Sequence, residues 1–175
     1  MRIFLIGFMG SGKTHWGERL ATALQMPFFD LDAQIAEEEG MDVPEIFTVK
    51  GEEFFRYKEK ECLEKLVERL DHFVLSAGGG TPCFFNNIQF MKQNGKVIWL
   101  NTATPVLTER LLQERRRRPL LSQISESGLE SYIVRKLGER KMYYEQADVM
   151  VEEEKTELAR LIELFQVSNG PDSKN

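Results

Sequence analysis

Apolar residues gather along this chain in short runs that do not alternate with polar ones. "IFLI" (Ile3 to Ile6), "FVLSA" (Phe73 to Ala77) and "VIWL" (Val97 to Leu100) are rich in β-branched and aromatic residues. Such runs read as strands of a parallel sheet buried on both faces. "PFFDLD" (Pro27 to Asp32) and "ADVMV" (Ala147 to Val151) are weaker fourth and fifth candidates. Between them the apolar positions recur every three to four residues: Trp16, Leu20 and Leu24; Cys62, Leu63, Leu66, Val67 and Leu70; Ile133, Leu137 and Tyr144; Leu158, Leu161, Ile162 and Phe165. That spacing predicts amphipathic helices. Strand and helix alternate throughout, which implies right-handed crossovers and a parallel sheet covered by helices. Internal repeats and linkers are missing, so residues 1–167 are expected to form one domain. The tail from Ser168, "SNGPDSKN", has nothing to bury and is expected to be disordered.

The first run opens directly into "GFMGSGKT", Gly7 to Thr14. This satisfies G-x-x-x-x-G-K-[ST] between a strand and a helix, the context in which that pattern forms a phosphate-binding loop. Its glycines let backbone N–H groups turn inward onto phosphate oxygens, and the following helix adds its N-terminal dipole. Lys13 supplies charge to the outer phosphates, and the Thr14 hydroxyl suits magnesium. A second carboxylate is expected at a strand end, and "FFDLD" offers Asp30 and Asp32. Two apart on an extended segment, they point to one face. One can organise the metal while the other receives an alcohol, but Asp32 can equally be the N-cap of a helix starting at Ala33.

Composition then narrows the acceptor. The 175 residues carry a net charge of −5, which argues against a general nucleic-acid binder despite "RRRR" at Arg115 to Arg118. Two cysteines, Cys62 and Cys83, lack metal spacing and cannot build a disulfide framework, and no apolar stretch reaches eighteen residues. A cytoplasmic protein without membrane or nucleic-acid partners is expected. Arg56 lies seven residues before Leu63 and Arg140 seven after Ile133, so each falls on the apolar stripe of its helix. An inward guanidinium needs a partner, either an internal acid or a substrate anion. "SAGGGTP" (Ser76 to Pro82) ends an interior strand with three glycines, where the backbone can approach a ligand closely. Arg118, before Pro119, falls on a loop able to close over a triphosphate, ahead of a helix expected to start at a capping box, Ser127 to Glu130. His15 and His72 have no partners at metal-ligand spacing.

With these pieces in order, the chain resembles the shikimate kinases from Met1 to about Val151. The resemblance is carried by "LIGFMGSGKT", "FFDLDAQI", "EIFTVKGEEFFRYKE", "AGGGTP", "RRPLL" and "RKMYYEQAD". It implies a three-layer α/β P-loop kinase fold: a five-stranded parallel sheet in the order 2-3-1-4-5, a substrate-binding helical region about 32–60 and a mobile lid about 112–126. It also implies transfer of the γ-phosphoryl of MgATP to the 3-hydroxyl of shikimate, on the way to chorismate and aromatic amino acids, by a monomer. ATP would be held by Gly10, Ser11, Gly12, Lys13 and Thr14, with His15 beside them, Arg110 on the adenine and Arg118 as the lid arginine. Thr14 and Asp30 would hold Mg2+, the latter through water. Lys13, Asp32 and Arg118 would be catalytic, Asp32 also binding the substrate hydroxyls. Arg56 and Arg140 would clasp the carboxylate, and Gly78, Gly79 and Gly80 would meet the substrate through their backbone. Phe47 and Phe55 would wall its ring, and Glu59 would order the nearby arginine. Gluconate or nucleoside-monophosphate kinases keep the phosphate loop without the "DLD", "GEEFFR" and "RPLL" set. A guanine-reading switch would need N-K-x-D, which "WLNTAT" does not match.

Overall fold

The computed structural model describes residues 1–114, 121 and 124–166. Arg118, much of the expected lid and the expected tail lie outside the described residues. In chain order the elements are β1 (Arg2–Ile6), α1 (Lys13–Leu24), β2 (Phe28–Asp30), α2 (Leu31–Glu39), α3 (Val43–Val49), α4 (Glu52–Arg69), β3 (Phe73–Ser76), α5 (Asn87–Asn94), β4 (Lys96–Asn101), α6 (Thr104–Glu114), α7 (Glu126–Tyr144), β5 (Val149–Glu152) and α8 (Leu158–Gln166). Short 3-10 turns follow β3 at Thr81–Cys83 and β5 at Glu153–Lys155.

All five expected strands form, pair in parallel and lie in the order β2-β3-β1-β4-β5. The central strand explains its own sequence. Ile3 and Leu5 enter one core with Trp16, Leu20, Ile98 and Leu161, beneath α1 and α8. Phe4 and Ile6 enter the other with Leu63, Leu66, Leu75, Trp99 and Tyr144, beneath α4 and α7. Both faces of β1 are therefore apolar, and alternation disappears. A third cluster joins Phe8 to Leu107, Leu111, Leu129 and Ile133, packing α6 and α7 beside the phosphate loop.

The amino edge of the sheet is closed by Arg2. Its Nε donates to the Leu70 carbonyl at 2.8 Å and its Nη2 to the Val67 carbonyl at 2.9 Å, satisfying acceptors at the end of α4. The carboxyl edge stays open, and every strand delivers a loop to it.

Local signals fixed some boundaries differently from expectation. The cap of α7 is Ser125, whose Oγ accepts the Gly128 N–H at 3.1 Å, so Ser127 already lies in the first turn and the Ser127–Glu130 capping box does not form. Helices α3 and α5 were not marked by apolar spacing. Each is short, and α5 is entered through two consecutive left-handed residues, Phe85 (φ 49°) and Asn86 (φ 60°).

Leu5 is fully buried at the centre of the sheet. Leu5→Ala is expected to lower unfolding stability by about 2–5 kcal/mol. Urea denaturation should show a lower midpoint with an unchanged slope; a midpoint within error of wild type would mean that β1 is not the core of the fold.

Candidate active site

A cleft of about 570 Å³ opens at the carboxyl edge between the ends of β1, β2 and β3. On its floor the phosphate loop needs glycine where it has it. Gly10 (φ 79°) and Gly12 (φ 82°) are left-handed, and a Cβ on Gly7 would stand 2.6 Å from the Leu100 carbonyl oxygen. Lys13 is folded over the loop, its Nζ donating to the carbonyls of Gly7 (3.0 Å) and Phe8 (2.9 Å).

Asp30 and Asp32 reach the cleft by a different route from the one their spacing implied. The strand ends at Asp30, and Leu31 starts α2, so Asp32 sits in the first helical turn. Asp30 is the N-cap: its Oδ1 accepts the Ala33 N–H at 3.2 Å, while its Oδ2 accepts the Thr14 hydroxyl at 2.9 Å. Asp32 is thereby relieved of capping. Thr14 and Asp30 place two hard oxygen donors beside the phosphate loop. This set suits a magnesium ion that takes its other ligands from water and phosphate oxygens.

Asp32 is left facing the cleft. Its Oδ1 is buried and has no hydrogen-bond partner among the described residues. Burial pushes its carboxyl up to about 7, the neighbouring Glu59 and Asp30 charges push the same way, and Lys13 and Arg56 oppose them.

Behind Asp32 stands a buried ion pair. Arg56 is 8% exposed and Glu59 is 0% exposed, with Arg56 Nη1 donating to Glu59 Oε2 at 2.7 Å. Glu59 Oε1 accepts the Thr81 hydroxyl, and Glu52 Oε1 accepts from Arg56 Nε (3.2 Å) and Nη2 (3.1 Å). Burial raises the Glu59 carboxyl, opposed first by the Arg56 charge. The guanidinium carbon lies 5.6 Å from the ring centres of Phe47 and Phe55 and 4.6 Å from that of Phe84.

The three glycines after β3 are spacers for this cluster. A Cβ on Gly78 would lie 2.6 Å from both Asp32 Oδ1 and Glu59 Oε1, one on Gly79 3.2 Å from Arg140 Nη1, and one on Gly80 2.6 Å from Arg56 Nη1. Both arginines expected to point inward therefore flank the same backbone. Arg140 is half-buried, with its guanidinium carbon 5.4 Å from the Phe8 ring centre. Tyr144, one turn further along α7, donates its hydroxyl to the Gly79 carbonyl at 2.5 Å.

Most expected site residues thus converge. Gly10, Gly12, Lys13, Thr14, His15, Asp30, Asp32, Gly78, Gly79 and Arg110 line the cleft itself. Ser11 is buried under the loop, and Phe47, Phe55, Arg56, Glu59, Gly80 and Arg140 cluster at the glycine run beside it. His15 lies edge-on to Trp16 with ring centres 5.4 Å apart, and its Nε2 is 3.4 Å from Arg19 Nη1. Arg110 donates to the Gly10 carbonyl at 3.0 Å. Four participants escaped sequence reasoning: Glu52, Thr81, Phe84 and Glu153. Thr81 follows the glycine run directly, Phe84 lies three residues beyond Thr81 and Glu52 lies one turn before Arg56, so adjacency was a usable signal. Glu153 had none, being one acid in "VEEE".

Comparison with known proteins agrees with this geometry. The family model described as shikimate kinase matches residues 9–166. A shikimate kinase of Bacteroides thetaiotaomicron is 41% identical over 147 residues, 84% of this chain and 83% of its own. One of Azobacteroides pseudotrichonymphae is 38% identical over 149 residues, 85% of this chain and 88% of its own. Among solved structures, the Bacteroides thetaiotaomicron shikimate kinase superposes with a TM-score of 0.89 at 37% identity, covering 95% of this chain and 98% of that one. The Acinetobacter baumannii shikimate kinase in complex with shikimate superposes with a TM-score of 0.86 at 31% identity, covering 97% and 95%.

The raised Asp32 carboxyl makes a prediction about the ligand-free protein. An ordinary aspartate titrates near ~3.9 in the unfolded chain, so the folded protein binds this proton more tightly. The resulting stabilisation is complete below that value and is lost as pH rises through about 7. Relative to Asp32→Asn, wild type should lose about 2–4 kcal/mol of stability between about pH 4 and pH 8. Parallel denaturation curves at each pH would check this; a pH-independent difference between the two proteins would contradict it.

Proposed function

The chain belongs to the shikimate kinase family, ATP-dependent kinases, and on that premise we propose how its cleft moves a γ-phosphoryl group from MgATP to the 3-hydroxyl of shikimate. The observation that carries the reading is the convergence of Asp32, the Arg56–Glu59 pair and Arg140 on Gly78 to Gly80, beside the phosphate loop. A polyhydroxy carboxylate has the matching chemistry: an anion for two guanidinium groups and an alcohol for one buried carboxylate.

In this assignment the triphosphate lies along Gly10 to Thr14, and Lys13 leaves its carbonyl partners for the outer phosphates. Thr14, and Asp30 through water, would hold magnesium, which when bound would neutralise phosphate charge. Arg56 and Arg140 bind the carboxylate, with Glu59 keeping the Arg56 guanidinium in plane. Phe47 and Phe55 wall the ring, and the backbone at Gly79 meets it closely. That leaves the 3-hydroxyl against Asp32 Oδ1. The hydroxyl oxygen forms a bond to the γ-phosphorus as the bond from that phosphorus to the leaving ADP oxygen breaks, and the hydroxyl proton passes to Asp32. A carboxylate whose affinity for a proton lies near neutrality both orients and accepts it well. The transition state is loose, so alignment and charge on the transferred oxygens contribute most. Lys13 and Arg118 carry that charge, Arg118 being assigned from its motif, and Arg110 is assigned to the adenine end.

We further assign residues 1–167 to one domain, with its acceptor region about 32–60 and its lid about 112–126. The protein acts as a cytoplasmic monomer on small molecules, without a nucleic-acid partner. Among the described residues no helix is long and apolar enough to cross a membrane.

ADP release from purified protein with MgATP is expected to depend on shikimate and not to appear with gluconate or AMP; release with either of those alone would reassign the acceptor. Asp32→Asn is expected to lower kcat at least about a hundredfold with ATP KM little changed. Near-normal turnover would remove Asp32 from the chemistry. For Arg56→Lys, shikimate KM should rise about tenfold or more because the bidentate fork is lost; an unchanged KM would make Arg56 a structural residue.

A further inference from the structure

A third buried carboxylate lies at the other end of the cleft, and the transfer chemistry makes no use of it. Glu153 is 8% exposed and opens the 3-10 turn after β5. Its Oε1 accepts the Trp16 indole N–H at 3.0 Å, and its Oε2 pairs with Arg110 Nη2 at 3.0 Å. The same guanidinium donates through Nη1 to the Gly10 carbonyl at 3.0 Å. A Cβ on Gly12 would stand 3.0 Å from Glu153 Oε1. One carboxylate thus ties α6 to the phosphate loop and the α1 helix that continues it, far away in sequence.

Charge makes this arrangement specific. An unpaired carboxylate beside the phosphate loop would repel a polyphosphate, whereas one held against a guanidinium is neutralised. The Arg110 side chain is 37% exposed. With its Gly10 bond alone it would sample many rotamers; the ion pair with Glu153 favours one orientation of the guanidinium plane. Through the Gly10 carbonyl that plane also fixes the outer edge of the loop whose N–H groups must face the phosphates.

We infer that Glu153 is a positioning residue for the nucleotide: it holds Arg110 on the Gly10 carbonyl and Trp16 beneath the phosphate loop, so that α6 and the loop are aligned before the polyphosphate arrives. This rests on the reading of Gly10 to Thr14 as the ATP site. A merely structural Glu153, tying β5 to α1, would affect stability without distinguishing between the two substrates.

Glu153→Gln separates the two roles, because its amide oxygen still accepts from Trp16 while the charge that holds Arg110 is gone. Calorimetric titration of the full chain with MgADP is expected to give a Kd about tenfold weaker, with ATP KM raised in step and shikimate KM within about twofold of wild type. In Arg110→Ala, Glu153 has no guanidinium to position and the charge facing it is gone, while its Trp16 bond is kept by Gln as well. The double variant R110A/E153Q should therefore bind MgADP no more weakly than R110A. A Kd for E153Q within about twofold of wild type, or losses that add in the double variant, would overturn the inference. If E153Q does not fold, Glu153→Asp keeps the charge but is too short to span Trp16 and Arg110; it should show the same selective loss, and a wild-type Kd would overturn the inference. Wild-type protein that does not bind MgADP at all would defeat the nucleotide-site reading itself.

Discussion

A guanidinium cannot be buried without a carboxylate to meet it, and the Arg56–Glu59 pair obeys that constraint at the price of everything around it. Glu59 is out of solvent entirely and needs a second donor, which Thr81 supplies. Arg56 lies so close to the chain that Gly80 has no room for a side chain, and Glu59 with Asp32 imposes the same on Gly78. Three aromatic rings, Phe47, Phe55 and Phe84, enclose what remains of the cation. The segments "GEEFFRYKE" and "AGGGTP", some twenty residues apart, are therefore one physical object. Neither makes sense without the other.

Sheet order turns that object into part of an enzyme. With β1 at the centre, its loop has the end of β3 on one side and the end of β4, then β5, on the other. The glycine run after β3 brings the acceptor end of the cleft, and the turn after β5 brings Glu153. Donor and acceptor regions are adjacent because their strands are, and a parallel sheet presents all these loops at one edge.

Legibility followed the range of the interactions. The phosphate loop could be read because its geometry is local: strand, glycines and helix are contiguous. The strands could be read because burial on both faces removes alternation. Arg56 and Arg140 betrayed themselves by standing on apolar stripes, although the stripe could not say which anion each meets. Asp30 and Asp32 show where local reasoning stops. Both side chains reach the cleft, but the change from strand to helix falls between them, so capping belongs to Asp30 and the unpartnered oxygen to Asp32. Ser125 displaced Ser127 as a cap for a similar reason, two residues of backbone deciding between two serines. Glu153 was invisible because its partners, Trp16 and Arg110, are brought to it by two segments far from it in sequence.

The posture of Lys13 bears on discrimination among anions. Its ammonium already holds two carbonyl oxygens of its own loop, so any ligand must at least replace those contacts to draw it away. A lone inorganic phosphate presents a single anionic centre to a cation that is already satisfied. A di- or triphosphate presents several along the same track and can replace both contacts at once. The folded-back lysine thus acts as a threshold, keeping the phosphate loop from being silted up by the small anions that surround it.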